Sequence, residues 1–176
     1  MKLASIRGML AVFRKLLPYF LACCIFFYNC FAFASLGQVD KVVVIKNERI
    51  LMLLQKGFVV RTYKVSLGRN PLGHKTREGD NRTPEGIYRL YRGNPKSKFH
   101  MSLHVSYPSE ADRVKARQHG VSPGGNIMIH GFPDGITMDD IPERLNWTKG
   151  CIAVANSDVE EIWHLVPSGT PIEILP

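Results

Sequence analysis

Phe58-Val59-Val60-Arg61-Thr62-Tyr63-Lys64-Val65, continued by Ser66-Leu67, decides the fold class. Val59, Tyr63, Val65 and Leu67 share one parity, while Thr62, Lys64 and Ser66 share the other. Successive side chains on a strand point to opposite faces, so this alternation predicts a strand with one dry and one wet face, as in an antiparallel sheet. Lys56-Gly57 is the turn that leads into it. Upstream, the β-branched run Val42-Val43-Val44-Ile45 and the segment Ile50 to Leu54, separated by Asn47-Glu48, read as two more strands. Gly86 to Tyr91, Ser102 to Tyr107, Asn126 to Ile129, Cys151 to Val154 and Ile172 to Leu175 fit the same reading.

Two short helices are expected. Ser109 caps one that runs to about His119, with Gly120 as its stop. Ser157-Asp158-Val159-Glu160 has the form of a capping box, and Val159, Ile162, Trp163 and Val166 follow at helical spacing until Pro167 and Gly169. Strands outnumber helices and do not alternate with them, which excludes a doubly wound parallel sheet. The expected class is mainly β, a β-rich mixed α+β domain over residues 39–175.

The first 34 residues differ from the rest. Lys2, Arg7, Arg14 and Lys15 precede an apolar run from Leu16 to Phe33 that ends in Ala32-Phe33-Ala34, a small-x-small cleavage pattern. Residues 1–34 are therefore expected to be a signal peptide or an uncleaved membrane anchor, and either reading implies export. Cys23 and Cys24 lie in mid-run, followed by Ile25-Phe26-Phe27, which argues against a lipoprotein. With Cys30 also in this segment, the remainder holds a single thiol, Cys151. It is either a reactive group or a buried structural cysteine.

The whole chain carries +8, and the export segment contributes four of those positive charges, leaving a mild excess of +4. That suits an acidic partner as well as it suits an ordinary wet surface. The clustered basic stripe that nucleic acid requires is missing from the sequence. Two long connections, Gly68 to Pro84 and Gly131 to Gly150, exceed what a compact domain tolerates without a use for them.

Chemistry concentrates in Thr148-Lys149-Gly150-Cys151-Ile152-Ala153-Val154. Gly150 permits a tight turn, Cys151 opens an apolar strand, and the adjacent backbone N–H groups of the Gly150-Cys151 turn are natural donors to an oxyanion. A thiol needs a base to become a nucleophile at neutral pH. His130, at the end of Asn126-Ile127-Met128-Ile129 and just before a long loop, is the best-placed histidine. His100 and His104 have the i, i+4 spacing of a metal pair on a helix. However, Met101 to Tyr107 alternates like a strand and no third ligand follows, so neither metal nor cofactor is expected.

The order Ile129-His130-Gly131, an 18-residue loop from Phe132 to Lys149, then Gly150-Cys151-Ile152, with Thr148 two residues before the glycine, resembles the catalytic signature of the L,D-transpeptidase (YkuD) family. Gly79-Asp80-Asn81-Arg82-Thr83-Pro84-Glu85-Gly86 is similar to that family's Thr-Pro-x-Gly element. The resemblance implies an L,D-transpeptidase-like β-sandwich or barrel, peptidoglycan stem peptides as substrate, a cysteine thioester intermediate and release of D-Ala. It further implies Cys151 as nucleophile, His130 as proton donor and acceptor, and Gly150 or Cys151 N–H as oxyanion donor. It also implies a backbone carbonyl that orients the histidine. Two positions depart from the pattern. Lys149 stands where many members have His, and Ala153 where many have Arg or Asn, so substrate anchoring near the thiol must differ.

Arg69, His74, Lys75 and Arg82 in the first loop are candidates for binding stem carboxylates. Lys149 is a candidate to stabilise a thiolate or a substrate carboxylate, or is simply solvated. His104 is a satisfied or substrate-facing histidine, and Trp147 either covers the site as part of a lid or pins its loop to the core. The expected enzyme works in the periplasm or cell envelope. It builds cross-links or attaches an envelope protein as acyl acceptor, and touches membrane only through residues 1–34 if they remain. Hydrolysis by an L,D-carboxypeptidase or endopeptidase is the first alternative, and an inactive wall-binding module is another. Wall cysteine peptidases usually place Cys before His, the reverse of the order here.

Overall fold

The computed structural model describes residues 38–133, 135–136 and 146–176. The export segment read above lies outside these residues, as does the middle of the second long loop. Eight strands form one curled sheet: β1 (Lys41–Ile45), β2 (Ile50–Gln55), β3 (Phe58–Lys64), β4 (Gly86–Arg92), β5 (Ser102–Val105), β6 (Met128–His130), β7 (Ile152–Ala153) and β8 (Pro171–Leu175). Two helices accompany it, α1 (Glu110–Gln118) and α2 (Asn156–Leu165). The strand order is β3-β2-β1-β8-β4-β5-β6-β7. The class is therefore mainly β, as the alternation of polar and apolar residues implied.

Five of the seven ladders are antiparallel, while β1–β8 and β6–β7 are parallel. The far edges of the sheet meet: Ser66, two residues beyond β3, bonds Ala153 of β7 reciprocally, each N–H donating to the other's carbonyl at 2.8 Å. This closure supplies partners for backbone groups that an open edge would leave exposed. The core lies inside the curl, where Val42, Val44, Leu51, Leu53, Leu67, Leu90, Ile129, Ile152, Ile172 and Ile174 have at most 1% exposure.

The β2–β3 hairpin turns on Lys56 (φ 50°) and Gly57 (φ 82°), two consecutive left-handed residues that match the twist of the flanking strands. The predicted dry parity of β3 holds for Tyr63, Val65 and Leu67 but fails at Val59, which is 52% exposed. A β-bulge is responsible. Leu53 pairs with Arg61 and Leu54 with Val59, so Val60 is the extra residue and takes the inward position instead.

Helix α1 begins in a capping box in which Ser109 accepts from Asp112 N–H and the Asp112 carboxylate accepts from Ser109 N–H. The expected Ser157 capping box of α2 is corrected. The helix starts two residues earlier, with Ala155 as N-cap and no side-chain cap bond. Asp158 at N3 supplies only the reciprocal half, accepting from Ala155 N–H. Val159 and Ile162 anchor α2 in the core, and Glu161 accepts from Arg61 and Tyr63 of β3 at 2.7 and 3.0 Å.

The first long connection is heavily bonded. The Asp80 carboxylate accepts from Lys75 Nζ and Thr76 N–H at 2.8 Å, and from Arg77 and Arg82 N–H at 3.1 Å. Burial alone would raise the Asp80 pKa, but these four donors outweigh it and bring it down to about 2. Lys46 is fully buried, with Nζ donating to Gly73 C=O at 2.8 Å, Thr83 C=O at 3.2 Å and Glu85 at 2.7 Å. Thr83, from the Thr-Pro element, accepts Gly68 N–H at 3.1 Å and so ties the two ends of the loop together.

Candidate active site

Strand β6 ends in His130, and Cys151 immediately precedes β7. The parallel register of the two strands sets Ile129 beside Ile152 and His130 beside Ala153. The isoleucines face the core, so His130 projects from the other side of the sheet. Cys151 precedes Ala153 by two residues, and the strand alternation therefore gives it the same side as His130. Diagonal neighbours on adjacent strands lie about 7–8 Å apart between backbones, within reach of side chains that lean toward each other.

His130 is 5% exposed. Its Nδ1–H donates to the Gly131 carbonyl at 2.7 Å, and a carbonyl can only accept, so the neutral ring carries its lone pair at Nε2. Phe99 and Trp147 wall the imidazole at centroid distances of 4.8 and 5.7 Å, and Phe132 stacks on Trp147 at 5.5 Å. Burial in this cage lowers the imidazole pKa, with the Gly131 bond opposing in part. The Trp147 Nε1–H is buried without an acceptor.

Cys151 is a free, partly exposed thiol whose Sγ lies 3.5 Å from the Asn126 carbonyl. Burial raises its pKa, while a Met128 N–H bond and the Lys75 charge pull the other way. Burial thus disfavours the charged form of both groups, the thiolate and the imidazolium.

The turn before the thiol explains its Thr-x-Gly-Cys form. Thr148 Oγ1 donates to the Cys151 carbonyl at 2.7 Å and accepts Gly150 N–H at 3.1 Å. Gly150 has φ 127°, and a Cβ there would lie 2.6 Å from the Arg82 carbonyl. Because the Gly150 N–H is occupied by Thr148, the oxyanion-donor assignment moves off Gly150. The Cys151 N–H has no acceptor among the described residues.

The other sequence candidates separate. His104 aligns with Met128 and belongs to the Cys151 side of the sheet, one strand further out. Arg69 and Lys149 are exposed on either side of the Gly68–Thr148 bridge. Lys75 and His74 are committed elsewhere, Lys75 to Asp80 and His74 to Asp112 at 3.1 Å and Glu85 N–H at 3.0 Å. Arg82 lines a cavity of about 660 Å³ together with Arg77, Lys115 and His119. Its Nε is buried without a partner, and Arg77, Arg82 and Lys115 have no ion pair among the described residues. This cavity and the α1 residues that floor it were not anticipated, because they meet only through the fold. No group of three His, Cys, Asp or Glu side chains among the described residues is placed to hold a metal.

Comparison with known proteins identifies the family and the fold. A family model for the L,D-transpeptidase catalytic domain (YkuD) matches residues 40–174. The Escherichia coli (strain K12) protein YafK, whose name places it among L,D-transpeptidases, is 29% identical over 137 residues, covering 74% of this chain and 48% of YafK. The crystal structure of Pgp2, a helical cell shape determining protein of Campylobacter jejuni, superposes with TM-score 0.60 at 29% identity, covering 78% of this chain and 48% of that one. Bd1075 of Bdellovibrio bacteriovorus shares the fold with TM-score 0.54 at 23% identity, over 81% of this chain and 50% of its own. The chain thus spans about half the length of these relatives. It belongs to the L,D-transpeptidase catalytic domain (YkuD) family.

Proposed function

We propose that this protein is an exported L,D-transpeptidase that acts on peptidoglycan stem tetrapeptides in the periplasm, with Cys151 as nucleophile and His130 as its base. The observation that carries the reading is the β6–β7 register, which sets His130 beside Ala153, two residues after Cys151, together with the Nδ1–H of His130 tied to a carbonyl so that Nε2 keeps its lone pair.

The sulfur of Cys151 bonds to the carbonyl carbon at the L-centre of the stem diamino acid as its proton passes to Nε2. The tetrahedral oxyanion accepts from Cys151 N–H. Collapse breaks the bond to D-Ala, which departs with the proton from the imidazolium and leaves a thioester. An amine of a second stem or of an envelope protein then attacks the thioester, releasing the thiol. Arg69, Arg82 and Lys149 supply positive charge for stem carboxylates, Arg82 being the residue that both lines the cavity and has its backbone carbonyl against Gly150. Trp147 walls the acyl site beside His130, and His104 lies along the same side of the sheet as Cys151. Residues 1–34 direct export and are either removed or kept as an anchor. By analogy with Pgp2, altered stem peptides would be expressed as altered cell shape.

Incubating the purified protein with disaccharide tetrapeptides and weighing the products tests this. Cross-linked dimers that require Cys151 support transfer. Trimmed monomers make the enzyme an L,D-carboxypeptidase or endopeptidase. No product from either the wild type or Cys151→Ala leaves only a wall-binding module.

A further inference from the structure

We propose that Asn156 is a positioning residue for His130 that acts through the Gly131–Phe132 peptide group. The inference rests on the reading of His130 as the base. Phe132 N–H donates to Asn156 Oδ1 at 2.7 Å, and Gly131 C=O accepts from His130 Nδ1–H at 2.7 Å. That N–H and that C=O belong to one planar unit. Any rotation that swings the carbonyl away from the imidazole must also break the bond to Asn156. An amide whose N–H is bonded is in addition a better acceptor at its oxygen, so the two bonds reinforce each other.

Three features indicate that this contact is built in. A Cβ on Gly131 would sit 2.3 Å from Asn156 Oδ1, so only glycine lets the side chain come this close to the turn. Asn156 is the first helical residue of α2, one past its N-cap Ala155, and its side chain makes no cap bond to the helix. The oxygen is directed instead at a turn 24 residues earlier. Finally, α2 is held by the fully buried Val159 and Ile162, which gives the amide a fixed base. Other groups brace the same turn, with Gly131 N–H donating to Phe99 C=O at 3.1 Å while the Phe99 ring packs on the imidazole. The result is an orienting chain of imidazole, peptide and amide that carries no net charge, in place of a carboxylate partner.

The test uses full-length protein labelled with 15N-histidine, the His130 signals being assigned with His130→Ala. In the wild type His130 should be a pure Nδ1–H tautomer. Asn156→Ala should give a mixture with the Nε2–H form and lower kcat on a disaccharide tetrapeptide by about 10- to 100-fold. KM should stay within about twofold, because Asn156 touches no substrate. Asn156→Asp keeps an acceptor oxygen. It should retain the Nδ1–H tautomer, rescue kcat, and move the imidazole titration upward because the added negative charge favours the imidazolium. A pure Nδ1–H tautomer with unchanged titration in Asn156→Ala overturns the inference. If that variant does not fold, an unmoved titration in Asn156→Asp does so. Turnover that is insensitive to His130→Ala sinks the assignment of the base, while the tautomer measurement still decides what Asn156 does.

Discussion

Replacing Asp80 with asparagine probes the loop that backs the Thr148 to Cys151 turn. In the folded protein the Asp80 carboxylate is 7% exposed and accepts four hydrogen bonds, one of them from Lys75, whose side chain is 3% exposed. These bonds hold its pKa at about 2 against a usual 3.8. A difference of nearly two units corresponds to roughly 2 kcal/mol of stability. Because the folded value is the depressed one, this stability is fully present above the unfolded value near 4 and is lost as pH falls toward 2. Asp80→Asn also leaves the Lys75 ammonium buried without its anion, at a cost of about 3–5 kcal/mol. Denaturant unfolding followed by tryptophan fluorescence, run at neutral pH and in steps down to pH 2, should show two things. The variant should be clearly weaker at neutrality, and the gap to wild type should narrow by roughly 2 kcal/mol on acidification. Carboxylates common to both proteins cancel in that difference. A gap that stays constant from neutral pH to pH 2 would refute the assignment of Asp80 as the charged centre of the loop.

Gly150→Ala should destabilise the protein by about 1–3 kcal/mol and abolish turnover, since φ 127° and a contact of 2.6 Å to Arg82 C=O both oppose a Cβ. Circular dichroism melts and the product assay check this. Since the thiol is raised and the imidazole lowered, alkylation of Cys151 by iodoacetamide should climb with pH and show no plateau in the acid range. A fast rate persisting well below neutrality would mean a resting ion pair instead. A carbapenem, whose strained lactam is an acyl donor, should add one covalent mass to the wild-type protein and none to Cys151→Ala, as read by intact mass spectrometry.

Local chemistry was the legible part of this protein. Period-two runs identify most of the strands because the pleat forces alternate side chains to opposite faces, whatever the partner strand. Ser109 and Gly120 mark the ends of α1, because capping depends on a few consecutive residues. The Thr148 to Cys151 turn is likewise a local device, with one hydroxyl serving both Gly150 N–H and Cys151 C=O. Errors arose where a neighbour intervenes. Val59 is exposed because the β2 pairing inserts a bulge at Val60, and a bulge belongs to two strands rather than one. The Ser157 box fails because α2 starts at Asn156, whose oxygen is engaged by Phe132. Lys75 looked like a free cation because Asp80, five residues on, closes on it only when the loop folds.

Sequence order alone thus sufficed to name most strands, two helices and the family, since each follows from a pattern within a few residues or from a family signature. It could not place Cys151 and His130 on one side of the sheet, open the cavity beneath Arg82, or bring Asn156 Oδ1 to the Phe132 N–H. Those features depend on the register between β6 and β7 and on the packing of α1 and α2. Register and packing are settled by burial summed over the whole core, a quantity that no short stretch of the chain contains.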